Sequence, residues 1–599
     1  MPILDFIDPT SRIQIQAIEP IVDCGRYPIK RTVGDAVEVY ATIFKDGHDT
    51  LGAAVRVRGP GETDWREEPL VLVGNDRWYG TFTVDRPGRW EFAVAGWTDR
   101  TATWQHEVRR KVEGGQTDLK GELAEGAVLL GKKKLTVEQG LAAEGGDRHG
   151  EVVSAPLPVE VDRELARFGA WYELFPRSWG GLCGVKEALP KLAALGFDVV
   201  YLPPIHPIGA TNRKGRNNAV TAEKGDIGSP WAIGAKEGGH DAIHPDLGTF
   251  ADFDALITAA RHAGIEIALD FAIQCSPDHP WLKEHPEWFN RRPDGTLKYA
   301  ENPPKKYQDI YNVNFESEDW RALWQALLDV VIFWVERGVR VFRVDNPHTK
   351  PVPFWEWLIG EVRREHPDVI FFAEAFTRPA MMTTLAKSGF AQSYTYFTWK
   401  NAKWELEEYM EELVEWAPFY RSNAFVNTPD ILHEYLQRGG PPAFEARLVL
   451  AATLSPSYGI YSGYESFENV PVREGSEEYL DSEKYEAKKR ALDGPLLPLV
   501  ERLNTVRRAE PALQRVDNLQ WLVTENDQLV AYRKDDVVVV VNIDPTSAQE
   551  GVCIIPVATG WPPAFQAIDT LTDSVFTWHL GRNFVRLGPG KSHLIKVSV

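Results

Sequence analysis

The sequence is poor in cysteine and in positive charge, and each shortage excludes a class of protein. Its 599 residues include only four cysteines, which are Cys24, Cys183, Cys275 and Cys553. They lie far apart, without a CxxC pair or a metal-binding spacing, so we expect free thiols in a reducing compartment. The formal net charge of −20 argues against nucleic-acid and anionic-membrane partners, because both require clustered Lys and Arg.

Long apolar runs are also missing. No run approaches the ~20 residues of a membrane span. The opening residues MPILDFIDPTSRIQ do not combine a basic segment with an apolar one, as a signal peptide would. We therefore expect a cytoplasmic protein that binds no membrane.

The patterns that are present predict several domains. Short strand-like runs separated by turn signals predict an N-terminal β-sandwich of the immunoglobulin type over residues 1–113. Residues 114–160 have partial helical periodicity interrupted by glycines, which predicts a short helical insert or a linker. Residues 161–504 repeat strand, loop and helix, and residues 505–599 return to strand-like runs typical of a second β-sandwich.

Eight apolar runs within residues 161–504 predict a (β/α)8 barrel, so the fold class is α/β and multidomain. The runs are AWYELFP, DVVYLPPI, IEIALDFAI, VRVFRVDN, VIFFAEAF, QSYTYF, NAFVNTPD and GIYSG. Near-continuous apolar runs are typical of strands buried on both faces. The longest insertion, residues 274–318, follows the third strand.

In three of these runs an acid residue stands where the predicted strand ends, at the barrel face where active sites lie. They are Asp345, Glu374 and Asp430. One acid in such a position is as often a helix N-cap or a turn residue, but three on one rim favour a site. A retaining glycosyl transfer needs two carboxyl groups ~5–5.5 Å apart, one as nucleophile and one as general acid/base.

The neighbouring residues suggest which carboxyl does what. Arg343, two residues before Asp345, projects to the same face of its strand and can keep Asp345 ionised as the nucleophile. The apolar setting FFAEAF can raise the pKa of Glu374, as a general acid requires. Asp430 is then left to bind sugar hydroxyls and stabilise the transition state.

The segments GVRVFRVDN, FFAEAF and FVNTPD resemble the signature regions of glycoside hydrolase family 13, the α-amylase family. IEIALDFAIQCSPDHPW and GGHDAIHPDLGTFADF fit it as well. The resemblance implies Asp345 as nucleophile, Glu374 as acid/base and Asp430 as transition-state stabiliser. It also gives Asp241 and Asp270 structural or substrate-ordering positions.

The sequence departs from typical α-amylases at three positions of these regions. Gln274 and Cys275 stand where those enzymes carry Asn and His, and Pro429 stands in place of a His. The loss of Asn weakens the family's calcium site, so we expect no metal, and no cofactor is implied. The departures match one branch of the family, the maltosyltransferases that use α-maltose 1-phosphate as donor and α-1,4-glucans as acceptor.

Resemblance to this branch assigns a donor site. It implies that the phosphate is held by four residues, which are Asn302, Lys305, Tyr307 and Asn346. Lys214 and Gln274 resemble contacts to the donor sugar. Spacing alone would favour a solvated loop for the Lys305–Lys306 pair.

The expected function is retaining transfer of maltosyl units with release of phosphate. Two alternatives stay open: a hydrolase or trehalose-forming isomerase of the same family, and a non-catalytic glycan-binding protein. Members of this branch carry a longer helical insert that contributes to a dimer. Because segment 114–160 is shorter here, the sequence does not decide between a homodimer and other oligomeric states.

Overall fold

The computed structural model describes residues 12–302 and 305–598, and the side chains of Asn302 and Lys305 lie outside the described part. The chain divides into two compact units, Met1–Arg163 and Glu164–Val599. Among the described residues, no helix combines the length and the apolarity needed to cross a membrane.

The first unit is built on one sheet. Its strands are β1 (Gln14–Glu19), β2 (Ile29–Thr32), β3 (Ala36–Phe44), β4 (Leu51–Arg58), β5 (Arg66–Gly74), β6 (Arg77–Thr83), β7 (Gly88–Thr98), β8 (His149–Val153) and β9 (Leu157–Asp162). They follow the order β1-β3-β6-β5-β4-β7-β9-β2, and β8 pairs with β7. Every second residue of β3 is buried, as expected for a strand with one face on a core.

Three helices lie between β7 and β8: α1 (Arg100–Glu113), α2 (Lys120–Leu129) and α3 (Val137–Leu141). The structure therefore differs from the expected sandwich over residues 100–113. Asp99 caps α1 by accepting a hydrogen bond from the Ala102 N–H, and Trp104 and Val108 form a small core at i, i+4 spacing. At Gly126 a Cβ would lie 2.2 Å from the Trp104 ring, so glycine allows the tryptophan to pack there.

The first part of the second unit contains eleven strands. They are β10 (Gly169–Glu173), β11 (Val199–Leu202), β12 (Glu266–Phe271), β13 (Gln274–Cys275), β14 (Tyr299–Asn302), β15 (Lys305–Asn312), β16 (Val341–Val344), β17 (Ile370–Ala373), β18 (Gln392–Tyr394), β19 (Ser422–Phe425) and β20 (Ser457–Tyr461). Eight close into a barrel in the order β10-β11-β12-β16-β17-β18-β19-β20. All neighbouring pairs are parallel, so the predicted (β/α)8 barrel is confirmed.

Helices surround this barrel. They are α4 (Gly181–Ala194), α5 (Phe250–Ala263), α6 (Trp281–Glu284), α7 (Trp320–Glu336), α8 (Val352–Glu365), α9 (Pro379–Lys387), α10 (Lys403–Trp416), α11 (Glu434–Leu454) and α12 (Leu497–Ala509). Helix α5 shows how the sequence sets the ends: Thr249 and Asp252 form a capping box, and Gly264 ends the helix in the left-handed region.

The segment between β12 and α7 contains a small antiparallel sheet in the order β13-β15-β14. Strand β13 begins three residues after β12 ends, so this sheet grows from the face of the barrel where the strands terminate. The register pairs Gln274 with Asn312 and Asn302 with Lys305. The insertion is thereby anchored beside the end of the third barrel strand.

The C-terminal domain is also built from strands. They are β21 (Leu519–Trp521), β22 (Leu529–Lys534), β23 (Val537–Asn542), β24 (Gln549–Ile555), β25 (Ala564–Asp569), β26 (Ser574–His579), β27 (Gly581–Leu587) and β28 (Ser592–Ser598). Six form one sheet, and β24 pairs with β27. Strand β23 is buried throughout because Val537 and Val539 join the barrel core while Val538 and Val540 join the domain's own core.

Candidate active site

Strand β16 carries the arginine and the aspartate that were predicted to act together. Arg343 is buried within the strand, and Asp345 follows the strand's last residue. The Nη1 of Arg343 donates to Oδ1 of Asp345 at 2.9 Å. Because the two residues are two positions apart, their side chains lie on the same face, as the sequence indicated.

The same guanidinium also contacts the next strand. Its Nη2 lies 2.8 Å from Oε1 of Glu374, which follows β17. One guanidinium therefore holds both carboxyls, Asp345 through Nη1 and Glu374 through Nη2.

Asn346 links the two carboxyls from the other side. Its backbone adopts φ +43°, a left-handed conformation that Asn tolerates better than most residues. In that conformation its N–H donates to Oε2 of Glu374 at 3.3 Å, and its Nδ2 donates to Oδ2 of Asp345 at 3.4 Å. Lys350 stabilises this turn by donating to the carbonyls of Asp345 and Asn346.

The surroundings shift the two pKa values in opposite directions. Burial raises the pKa of Glu374 to about 8; Arg343 lowers it, and the negative charges of Asp345, Asp430 and Asp270 add to the rise. Burial also opposes ionisation of Asp345, but the positive charges of Arg343 and Lys350 outweigh it and lower its pKa. Near neutral pH the pair therefore contains an ionised Asp and a protonated Glu, the states that a nucleophile and a general acid require.

Two further buried acids surround Arg343. Asp270, at the end of β12, accepts from Arg343 at 2.9 Å and from the hydroxyl of Tyr201 at 2.6 Å, and burial raises its pKa to about 7. Glu173 ends β10, and burial raises its pKa well above the ordinary value. Sequence analysis did not select Glu173, although GAWYE carries the same signal, an acid at the end of an apolar strand.

The insertion after the third strand reaches this cluster through Gln274. Its Nε2 donates to Oδ2 of Asp345 at 3.2 Å. Buried Lys214 donates to Oε1 of Gln308 in β15 at 3.1 Å, so the loop after β11 also contacts the insertion. Tyr307 is half-buried and packs against the barrel core, whereas the side chains of Asn302 and Lys305 lie outside the described residues.

Asp430 is bound by a lysine that sequence analysis missed. It follows β19 and forms a hydrogen-bonded ion pair with Lys484. The ammonium of Lys484 lies 5.2 Å from the ring centre of Trp231. Because Lys484 lies 54 residues further along the chain, in a segment without strand or helix, no spacing rule could have paired it with Asp430.

Asp241 is not brought into the carboxylate cluster. It is an exposed turn residue in the loop after β11, and its part in substrate binding stays a prediction.

The neighbouring His240 belongs to a buried group with Cys275 and His279 whose potential metal-ligand atoms lie within 4.8 Å of one another. The ring nitrogens of both histidines already have hydrogen-bond partners. His279 Nδ1 accepts from the Trp281 N–H, its Nε2 lies 3.0 Å from His240 Nδ1, and His240 Nε2 contacts the Ala272 carbonyl. Burial lowers the pKa of His240 to about 4 and that of His279 to about 2, which describes a neutral hydrogen-bonded pair.

Comparison with known domains agrees with this architecture. Residues 169–321 match the α-amylase catalytic domain, residues 11–167 match domain N/S of α-1,4-glucan:maltose-1-phosphate maltosyltransferase, and residues 521–597 match the C-terminal domain of the same family. Among solved structures, an α-amylase from Lactobacillus plantarum aligns with a TM-score of 0.57 and 23% identity, covering 72% of this chain and 100% of that one. That likeness shows the fold.

The fold defines the class, an enzyme of the α-amylase family. Its relatives include an α-1,4-glucan:maltose-1-phosphate maltosyltransferase from Mycolicibacterium smegmatis, 48% identical over 97% of this chain and 96% of the relative. A second relative, α-1,4-glucan:maltose-1-phosphate maltosyltransferase 2 from Streptomyces coelicolor, is 50% identical over 97% of this chain and 95% of the relative. The chain therefore belongs to the α-1,4-glucan:maltose-1-phosphate maltosyltransferase family.

Proposed function

We propose that this enzyme transfers maltosyl units from α-maltose 1-phosphate to the non-reducing ends of α-1,4-glucans, with release of phosphate and retention of configuration. The substrates are those in the names of the relatives. One observation carries the chemistry: Arg343 binds Asp345 and Glu374 together while the pKa of Asp345 is lowered and that of Glu374 is raised.

In the first step Asp345 attacks the anomeric carbon of the donor. The bond between that carbon and the phosphate oxygen breaks, and Glu374 gives its proton to the departing oxygen. The products are free phosphate and a maltosyl ester of Asp345. Arg343 and the Asn346 amide keep the attacking carboxylate ionised and oriented.

In the second step the 4-hydroxyl at the end of a glucan attacks the same carbon from the opposite face. Glu374, now a carboxylate, accepts the hydroxyl proton while the ester bond to Asp345 breaks. Two inversions give net retention, and the enzyme returns to its starting protonation state.

The donor is held by residues on several segments in this proposal. Asp430 and its partner Lys484 bind sugar hydroxyls and favour the distorted ring. The remaining roles rest on the resemblance to the family: Lys214 and Gln274 contact the donor sugar, Asp241 helps to order the substrate, and Asn302, Lys305, Tyr307 and Asn346 bind phosphate. Gln274 contacts Asp345 and begins the insertion that also carries Asn302, Lys305 and Tyr307. This contact supports a phosphate pocket beside the nucleophile.

An assay with α-maltose 1-phosphate and maltotetraose separates this function from the alternatives. We expect phosphate release with products longer by two glucose units. Lys305→Ala should raise the KM for the donor by about ten-fold or more, the size of one lost charged contact. The exposed neighbour gives a matched control, because Lys306→Ala should change KM little.

Other outcomes would assign another reaction. Shortened products without phosphate would indicate a hydrolase, rearranged disaccharide would indicate an isomerase, and binding without turnover would indicate a glycan-binding protein. Equal effects of Lys305→Ala and Lys306→Ala would contradict the phosphate pocket.

We also infer that the enzyme works in the cytoplasm, with no nucleic-acid or membrane partner. All four cysteines are free thiols, as expected in a reducing compartment. The net charge of −20 disfavours polyanionic partners.

A further inference from the structure

A second concave surface lies outside the carboxylate cluster. It is a groove of about 560 Å³ between the start of helix α10 and the first strands of the C-terminal domain. Its lining includes Lys403, Trp404, Glu407, Trp521, Val523 and Asp527. We call it the α10 groove, and it shares no lining residue with the cluster around Arg343.

Trp404 is exposed in a way that the packing of α10 does not explain. The helix buries four side chains on its core face, which are Leu406, Tyr409, Met410 and Leu413. Trp404 lies off that face and is 65% exposed, and Val523 on the opposite wall is 64% exposed. An indole left in solvent loses hydrophobic stabilisation, so its exposure beside a groove favours a binding role.

The polar groups of the α10 groove suit a neutral, hydroxylated ligand. Glu407, Glu411 and Asp527 crowd together: burial raises the pKa of Glu407, and the charges of the other two add to the rise. Carboxylates of this kind accept hydrogen bonds from hydroxyl groups. Lys403 donates to Oγ1 of Thr524 at 2.6 Å, which fixes the two walls relative to each other.

Helix α10, which forms one wall of the α10 groove, begins at the catalytic end of the barrel. Helix α10 follows β18, and the first turn after a barrel strand lies on the face that carries the active site. The connecting loop includes Trp399, whose ring lies 5.2 Å from that of Phe376, two residues after Glu374. A long chain that reaches the carboxyl pair can therefore pass over the same end of the molecule.

We propose that the α10 groove binds a segment of an α-1,4-glucan chain, with a glucose ring packed on Trp404. The apolar face of a glucose ring complements a flat indole, and its hydroxyls complement the acids. A second copy of this chain is a poorer occupant, because two acidic surfaces of a protein with net charge −20 would repel. The inference rests on the proposed function for its choice of glucan.

Gel electrophoresis in the presence and absence of glycogen measures this binding directly. Trp404→Ala should weaken retention by glycogen about five- to ten-fold, as expected for one lost aromatic contact. The matched control is Phe584→Ala, which removes an aromatic ring that is 66% exposed outside the α10 groove and should leave retention unchanged. Asp527→Ala tests the opposite wall and should also weaken retention.

Turnover of α-maltose 1-phosphate with maltotetraose separates this inference from the proposed function. We expect Trp404→Ala to keep a rate within about two-fold of the parent, since a short acceptor gains little from a distant contact. Should Trp404→Ala lose this rate through misfolding, Asp527→Ala decides the question. Unchanged glycogen retention in the folded variants would overturn the inference. A change of oligomeric state in Trp404→Ala, measured by sedimentation, would also overturn it, because it would assign the groove to self-association. Failure of the parent to release phosphate would overturn the proposed function while leaving the glycogen result valid.

Discussion

The ends of β16 and β17 carry one carboxyl each, and these two carboxyls share contacts with Arg343 and Asn346 but differ in their other neighbours. Asp345 receives hydrogen bonds from Arg343, Gln274 and Asn346, and its pKa is lowered. Glu374 has fewer donors, is surrounded by other acids, and has a pKa of about 8. Hydrogen-bond supply and neighbouring charge therefore separate the two pKa values, and in the proposed mechanism this separation makes Asp345 the nucleophile and Glu374 the proton donor.

The largest expected effect comes from removing each carboxyl in turn. Asp345→Asn should lower kcat by at least about 10⁴-fold with any donor, since no covalent intermediate can form. Glu374→Gln should be equally poor with α-maltose 1-phosphate but should still release fluoride from α-maltosyl fluoride, a leaving group that needs no proton. Phosphate and fluoride release measure both rates. Equal loss of fluoride release in both variants would contradict the division of roles.

The barrel could be predicted because its strands are buried on both faces, which makes each a nearly continuous apolar run such as VVYL or IFFA. Helix α1 could not be predicted as easily, since its core consists of little more than Trp104 and Val108. The glycines of the following segment suggested a broken helix. The structure gives them another reason, because Gly126 and Gly140 pack directly against the Trp104 ring.

The site shows a similar limit. Asp345, Glu374 and Arg343 were found because they lie at strand ends or within one strand, where position in the sequence fixes position in space. Lys484 was missed because long-range packing brings it to Asp430. Lys350 was missed because it reaches the backbone carbonyls of Asp345 and Asn346 only through the turn that Asn346 forms. Family resemblance supplied Gln274, whose contact with Asp345 depends on the path of the chain after β12.

Replacing the shared arginine should lower the free energy of unfolding. Arg343→Met leaves Asp270, Asp345 and Glu374 buried without their cation, which should cost about 3–5 kcal/mol at pH 7. Urea unfolding at two pH values measures the cost. The pKa values of these acids would then be raised in the folded state, so the cost should be smaller at pH 5 than at pH 7.

A surface arginine provides the control for this experiment. Arg438 is 71% exposed, and Arg438→Met should change stability by no more than about 0.5 kcal/mol. A loss of stability in Arg343→Met that is independent of pH would indicate a packing defect instead of unpaired charge.

The smallest expected effect is a shift in the pH dependence of kcat/KM. Because the first step needs protonated Glu374, kcat/KM should fall as the pH rises through about 8. Asp270→Asn removes a negative charge that raises this pKa, so the alkaline limb should move to lower pH, by less than about one unit. Asp573→Asn, at a position 80% exposed in the C-terminal domain, should leave the limb in place. A limb that moves upward in Asp270→Asn would contradict this electrostatic account.

Trapping the covalent intermediate would show directly whether Asp345 is the nucleophile. Glu374→Gln can be incubated with 2-deoxy-2-fluoro-α-maltosyl fluoride, whose fluorine at C2 slows the second step, and then digested and analysed by mass spectrometry. We predict one maltosyl-type adduct on the peptide that contains Asp345. An adduct on another carboxylate, or turnover of the reagent with inversion and no adduct, would contradict retaining transfer through Asp345.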